Sequence, residues 1–320
     1  MVNSSRRGGL PTCSRASLPI AQCPLNSKSM KILKSIPICL FLFVLFIPAP
    51  AFSQNNRLRA ITYNIYEGMR LDTSAGKPIF VEWVKQMDPD VLALQEVTGF
   101  TQASLEKLAE SYGHPYAVLL IEGEKFPVAI TSKYPIVNVQ KVSDNMDRGF
   151  ITAHIKDFNV VSLHFTPFDY RKRRQEVELL LAHINAQSSK QQWLIMGDFN
   201  TVSPADSANY SDGRMVENYL KYEKKYAPIK KLVDNKLDYT VIEKVLANGF
   251  TDALKKTTPE FVKTVHPKRF EPKTGTDVTS RIDFIFVSRD LVKKISAAKV
   301  IIDDFTNNYS DHYPVLLDLK

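Results

Sequence analysis

The first 53 residues contain no aspartate and no glutamate, yet they hold Arg6, Arg7, Arg15, Lys28, Lys31 and Lys34. Cysteine is nearly absent: Cys13, Cys23 and Cys39 are the whole complement, and all three lie in that same segment. The remainder can form no disulfide and offers no thiolate ligand, which excludes a disulfide scaffold and a cysteine zinc site. There is no HExxH pattern either. The most apolar stretch, IPICLFLFVLFI from Ile36 to Ile47, has only 12 residues, short of the roughly 20 that span a bilayer. No internal repeat and no Pro/Gly/Ser-rich linker divides the chain.

What is present at the start has the three-part layout of a secretory signal peptide. Lys31 and Lys34 precede the apolar run and Ala51-Phe52-Ser53 follow it. Residues 1–53 are expected to be an N-terminal extension and signal peptide, with Met30 as an alternative start and cleavage after Ser53. An uncleaved anchor is the competing reading. Cys39 lies inside the apolar run rather than after it, which argues against a lipoprotein anchor. The protein is therefore expected to be secreted or periplasmic, with no stable membrane insertion once processed.

Removing the leader changes the charge argument. The whole chain carries 42 basic and 34 acidic residues; without the six leader bases the balance is 36 against 34, about +2. Such a domain has no bulk electrostatic case for nucleic acid, although nucleic acid stays among the candidate partners. Residues 54–320 suffice for one large domain with its own core, expected to act as a monomer.

Along that domain, strand patterns alternate with a few helices. RLRAITYNI (57–65), DVLALQEV (90–97), PVAITS, IVNVQKV, FITAHI, NVVSLHF, WLIMGDF, RIDFIFVS and PVLLDL read as strands. KPIFVEWVKQM, TQASLEKLAESYG and the stretch from Asp169 to Asn185 read as helices. Residues 204–276 are less regular, with a helical piece at DYTVIEKVLANG. This mixture predicts an α/β fold in which two packed sheets carry outer helices.

Polar residues recur where apolar strands end. Asn64 ends ITYN, Glu96 follows LALQ, His164 ends VVSLH, and Asp198 and Asn200 follow WLIMG. In an extended chain, Asp198 and Asn200 would face one side, and Gly197 would leave room for a ligand to approach the backbone. Asp283 stands in what should be a buried strand and needs a partner; His312, in SDHYPV, is the candidate. Asp311 and His312 can both reach the cleft if the chain bends at the strand mouth. A cleft lined by carboxylates, amides and imidazoles suits a hard cation such as Mg²⁺, with Mn²⁺ as a substitute, holding a substrate phosphate. The basic stretches YRKRRQEVELL, KYEKKYAPIKK (221–231) and HPKR read first as solvated faces, with anion binding as the alternative for the last two.

In order, TYNIYEG, LQEV, SLHF, GDFN, RIDFIFVS and SDHYPV resemble the motifs of the endonuclease/exonuclease/phosphatase superfamily, whose fold is deoxyribonuclease-I-like. The resemblance runs from residue 57 to 319 and implies a four-layer sandwich of two mixed sheets flanked by helices. It further implies that Glu96 is the main metal ligand, with Asn64 and Asp311 close to the metal. Asp198 would orient or deprotonate the attacking water, Asn200 would hold a phosphate oxygen, and His312, paired with Asp283, would stabilise transition-state charge. His164 would contact phosphate or protonate the leaving group, and Arg148 would bind phosphate. The implied activity is metal-dependent hydrolysis of a phosphodiester or phosphomonoester. A secreted nuclease is the alternative, and a non-catalytic binding module is disfavoured because no motif residue is missing. The WNV opening and DNA-inserting loops of abasic-site endonucleases and the WCDR stretch of inositol phosphatases are not found.

Overall fold

A computed structural model describes residues 57–187, 192–271 and 279–320. The expected leader and its processing site lie outside the described residues. Fourteen strands form among them: β1 (Leu58–Asn64), β2 (Val91–Gln95), β3 (Tyr116–Leu119), β4 (Ala129–Ser132), β5 (Ile136–Val142), β6 (Phe150–Ile155) and β7 (Phe158–His164). The second half contributes β8 (Trp193–Asp198), β9 (Leu232–Val233), β10 (Lys236–Leu237), β11 (Phe250–Asp252), β12 (Asp283–Ser288), β13 (Ile295–Val300) and β14 (Val315–Leu319). One six-stranded sheet has the order β13-β14-β1-β2-β4-β3 and the other β11-β12-β8-β7-β6-β5; β9 and β10 make a small separate ribbon.

Side-chain alternation builds the layers. Ala60, Val91, Ala93, Val160, Leu194, Met196, Ile285 and Leu317 meet between the two sheets. The alternate residues Ile61, Tyr63, Leu92 and Leu94 face outward, against Phe80, Trp83 and Val84 of the Pro78–Met87 helix and Leu105 and Leu108 of the Gln102–Ser111 helix. On the opposite side, Val161, Leu163, Ile195, Phe284 and Phe286 pack on Val177 and Leu180 of the Tyr170–Ala186 helix and on Val241 and Val245 of the Thr240–Ala247 helix. The result is the expected four-layer α/β sandwich, helix on sheet on sheet on helix. Because both faces of the central strands are buried, they read as continuous apolar runs.

Register then sets the site. In the β7–β8–β12 row, His164 pairs with Asp198 and Asp198 with Asp283. In the facing sheet Asn64 pairs with Gln95. Counting by twos from the shared core, 60-62-64, 160-162-164, 194-196-198 and 287-285-283 all reach inward-facing positions. The interior between the sheets is apolar along its length and polar at one end.

Two sequence expectations need correction. Gly197 does not make room for a ligand: a Cβ there would stand 2.0 Å from the Leu163 carbonyl oxygen, so the glycine serves the close approach of β7 and β8. The stretch 169–180 is not simply an exposed face. Arg173 and Glu176 are buried, at 3% and 0% exposure, because they share the helix stripe of Val177, Leu180 and Ile184. Within the irregular 204–276 region a helix forms at Arg214–Lys225, anchored by Met215 on Val202 and Tyr210.

Candidate active site

At the polar end of the inter-sheet core, Asp198 is the hub. Its Oδ2 lies 3.2 Å from Asn64 Nδ2 and 3.3 Å from His164 Nε2, with His312 Nε2 at 3.9 Å. Its Oδ1 accepts the Asn200 backbone N–H at 2.8 Å. Burial alone would raise this carboxyl. The hydrogen-bonding contact with His164, the His312 charge and the Asn200 N–H outweigh it and hold Asp198 well below the usual carboxylate range. Asp198 is therefore an ionised, 1%-exposed acceptor at neutral pH.

His164 takes the opposite state. Burial first, then the Arg148 charge, lowers its pKa. Arg148 Nη1 lies 3.1 Å from Nδ1 and 2.5 Å from Nε2 of that ring. A guanidinium only donates, so the ring is neutral; protonation on Nε2 lets Nδ1 accept from Arg148 and turns Nε2–H to Asp198, and the 2.5 Å approach of Arg148 Nη1 to Nε2 must then lengthen. The Arg148 guanidinium also covers the Phe126 ring at 4.4 Å and lies 3.7 Å from Glu96 Oε1.

His312 is charged. Burial would lower its pKa, but Asp283, Asp198 and Asp311 together raise it well above the usual value. Nδ1 donates to Asp283 Oδ2 at 2.9 Å, whereas Nε2 makes no hydrogen bond among the described residues and stands toward the cleft. Asp283 itself is pushed up to about 6 by burial, with His312 opposing and Asp198 adding to the rise. It is the first residue of β12 rather than a mid-strand carboxylate, and Thr264 Oγ1 accepts its backbone N–H at 3.3 Å.

Asp311 does point into the cluster, as the bend at the strand mouth allows. Ser310 Oγ donates to the Asn64 carbonyl at 2.6 Å and accepts the His312 N–H at 3.1 Å, pinning this loop to the end of β1. Asp311 Oδ1 is buried without a hydrogen-bond partner, and burial followed by repulsion from Glu96 and Asp198 raises this carboxyl against the pull of His312. Glu96 leaves β2 with φ 59° and accepts the Glu67 N–H at 3.1 Å through Oε2. Asn200 reaches the site by a left-handed turn (φ 50°) rather than by extending β8; its Nδ2 donates to the Phe165 carbonyl at 2.9 Å. All nine sequence-derived candidates, Asn64, Glu96, Arg148, His164, Asp198, Asn200, Asp283, Asp311 and His312, thus converge here.

Three supporting residues escaped the sequence reading. Glu176 accepts the Asp147 N–H at 2.7 Å and the Thr166 N–H at 2.9 Å, fixing the loops that carry Arg148 and follow His164. Thr264 and Ser310 brace Asp283 and His312. The helix stripe could have flagged Glu176, and the Ser-x-His spacing could have flagged Ser310.

The donor set is oxygen-rich, and an orphaned buried carboxylate oxygen on Asp311 beside Glu96 fits a hard divalent cation. A second set, Asp198, Asp283 and His312, also brings three donor atoms within 4.8 Å of one another. There, however, the Asp283–His312 hydrogen bond uses one ring nitrogen and the imidazole is protonated, which leaves it no lone pair for a metal.

The profile of the Endonuclease/Exonuclease/phosphatase family matches residues 61–312, so the chain belongs to that family. It is a hydrolase acting on phosphoester bonds. No curated protein matches the sequence. Among solved structures, an AP endonuclease from Archaeoglobus fulgidus superposes with a TM-score of 0.60 at 20% identity, covering 82% of this chain and 99% of that one. A 3'-5' exonuclease from Neisseria meningitidis gives 0.60 at 20% identity, covering 82% of this chain and all of its own. A Neisseria 3' phosphatase bound to a product DNA hairpin gives 0.59 at 18%, covering 82% of this chain and 99% of that one. At these identities the likeness establishes the deoxyribonuclease-I-like fold.

Proposed function

We propose that the mature protein is an exported, Mg²⁺-dependent hydrolase of phosphodiesters or phosphomonoesters, in which Asp198 activates water. The observation that carries this is the meeting of Asn64, His164 and His312 within 3.9 Å of one ionised Asp198 oxygen. Glu96 and Asp311, with Asn64 beside them, would hold the cation. When bound, it supplies positive charge that offsets the phosphate's negative charge and favours attack on phosphorus.

The chain's own groups divide the remaining work. Asp198 accepts a hydrogen bond from the attacking water and takes its proton as the new P–O bond forms. His312, positioned through Asp283, donates Nε2–H to a phosphate oxygen, so its charge opposes the one growing on phosphorus. Arg148 and Asn200 steady the other phosphate oxygens, and His164 Nε2–H stands where a leaving oxygen needs a donor. As the second P–O bond breaks, His164 Nε2–H hydrogen-bonds the leaving oxygen, and the proton that Asp198 took passes to it through solvent, leaving Asp198 ionised again and His164 neutral.

The DNA-acting structural neighbours favour a second reading, a nuclease. The near-neutral mature domain, 36 bases against 34 acids, weighs against it. A panel of phosphomonoesters, phosphodiesters and linear DNA, assayed with residues 54–320, separates the two. We expect Mg²⁺-dependent turnover of a small phosphoester, abolished by EDTA and by Asp198→Asn; turnover of no phosphoester at all would overturn the reading. Export is tested by N-terminal sequencing of protein recovered outside the cytoplasm. Gln54 or a near neighbour should be first, and an intact leader would refute cleavage.

A further inference from the structure

Beside the site stand two cations, Arg173 and Lys231, whose side chains make no ion pair within 4 Å among the described residues, although Glu223 and Asp198 attract the Lys231 ammonium from farther away. Arg173 is 3% exposed, and its only side-chain hydrogen bond among the described residues is Nη1 to the Thr166 carbonyl at 3.1 Å. Its Nε is buried with no partner. The carboxylates around the pair are engaged elsewhere: Asp238 with Arg174, Asp169 with Arg171, Glu176 with two backbone N–H groups, and Glu223 with the Lys231 and Leu232 backbone N–H groups. Lys231 makes no ion pair or side-chain hydrogen bond among the described residues; its Nζ sits 4.9 Å from the centre of the Tyr219 ring. Burial, followed by repulsion from Arg173, lowers the Lys231 ammonium to about 8. A desolvated cation without a direct ion pair is costly, and two that repel each other are more so, unless a third party supplies further negative charge.

The backbone ties this pair to the reaction centre. Lys230 N–H donates to Phe168 O, and Tyr170 N–H donates to Lys230 O, both at 2.7 Å. The same short segment begins at Phe165, whose carbonyl holds Asn200, and at Thr166, whose carbonyl holds Arg173. Tyr219 packs against the cluster of Val202, Tyr210 and Met215, Val202 being two residues past Asn200, and Asp198 is close enough to attract the Lys231 ammonium.

We propose that Arg173, Lys231 and the Tyr219 hydroxyl form a subsite for a second, non-scissile phosphate of the substrate, next to the Asn200 side of the reaction centre. The proposal rests on the phosphoester-hydrolase reading and narrows it: the substrate carries at least two phosphate groups. The second phosphate could be a phosphomonoester on a small molecule or the neighbouring diester of a strand. Lys231 and Tyr219 both come from the 204–276 stretch, outside the motifs shared with the family, so this preference would belong to this chain.

The test compares kcat/KM for thymidine 5'-(4-nitrophenyl phosphate) with that for its 3'-phosphorylated and 3'-methylphosphate analogues. The wild type should prefer a 3'-phosphorylated substrate by about tenfold or more, the scale of one or two charge-assisted hydrogen bonds. Lys231→Gln should bring that ratio toward one, and Tyr219→Phe should reduce it. Preference for the monoester would identify a small polyphosphorylated molecule; equal use of the methyl diester would identify a strand. Hydrolysis of all three at equal rates would overturn the subsite while leaving the hydrolase reading intact. Failure to hydrolyse any would strike that reading instead. A second measurement then decides the subsite alone: in EDTA, inorganic phosphate should raise the melting temperature of the wild type more than that of Lys231→Gln. Equal shifts would overturn the proposal. Arg173→Gln serves only as a supporting variant, because Arg173 also braces Thr166.

Discussion

His312 Nδ1 stands 2.9 Å from Asp283 Oδ2, joining the loop before β14 to the first residue of β12. This one bond couples the two sheets at the polar end of their shared core. It also fixes which imidazole nitrogen remains for chemistry. With Nδ1–H committed to the carboxylate, Nε2–H is the donor that faces the cleft.

Removing either partner disables the same device. His312→Ala should lower turnover at least about 10²-fold, the scale seen when a preorganised charge-bearing donor is lost. Asp283→Ala should do similar damage, and the double variant should be scarcely worse than the worse single one. Steady-state kinetics of the four proteins checks this. Losses that multiply would mean that the two residues act independently.

The pair also sets an acid limit. The Asp283 carboxyl is raised to about 6, and the working form has it ionised and His312 charged. Proton uptake by Asp283 as pH falls removes the carboxylate that holds the ring. We expect kcat/KM to decline as pH drops through about 6, and this limb to vanish from the residual activity of Asp283→Asn. An unchanged limb in that variant would assign it to another group.

Asp311 carries a buried, unpartnered oxygen and is repelled by Glu96 and Asp198. Without metal, Asp311→Asn and Glu96→Gln should melt at the same temperature as the wild type or higher, since removing clustered like charge relieves repulsion. With Mg²⁺ added, the wild type should gain stability and the variants should not. Differential scanning calorimetry with and without Mg²⁺ reads both effects, and a full metal-induced shift in either variant would exclude it as a ligand.

Glu176 holds two backbone N–H groups from different loops. Glu176→Ala leaves both without their acceptor at a cost of about 1–3 kcal/mol each. Chemical denaturation should show the loss, and kcat/KM should fall although every proposed catalytic side chain is intact. A variant as stable and as active as the wild type would show that water replaces the carboxylate.

His114 offers a stability test remote from the site. It is 1% exposed, with Nε2 2.8 Å from the Pro89 carbonyl and Nδ1 2.8 Å from Thr131 Oγ1. Burial is the main cause that lowers its pKa to about 4 from 6.5. A depressed histidine favours folding above the unfolded-state pKa, and that contribution is lost as pH falls from about 6.5 to about 4. The difference corresponds to about 3 kcal/mol. Denaturation curves across this window should lose about that much stability, and His114→Gln should flatten the dependence.

Much of the site was legible because polar residues at the ends of apolar strands demand partners. Asn64, His164, Asp198 and Asp283 stood out for that reason. Arg173 and Glu176 did not, because a helix rich in Arg, Lys and Glu reads as a solvated face until its neighbours are known. Lys231 was hidden in the same way within KYEKKYAPIKK. Asn200 was placed on the right side by the wrong route, since the left-handed turn after Asp198 depends on the hydrogen bond between its backbone N–H and that carboxylate.

The sequence by itself determined the strand and helix stretches, the family motifs and the residue types that gather at the strand ends, since these depend on local periodicity and composition. It could not say which of the two alternating sets on β1, β2, β7, β8 and β12 faces the shared interior. Both sets are apolar because both faces of these strands are covered. Tertiary structure decided that through register: Asn64 opposite Gln95, and His164, Asp198 and Asp283 in one row. A shift of one residue would send every one of these side chains to the helix-covered face, so the pairing of distant strands, which no local pattern encodes, makes the site.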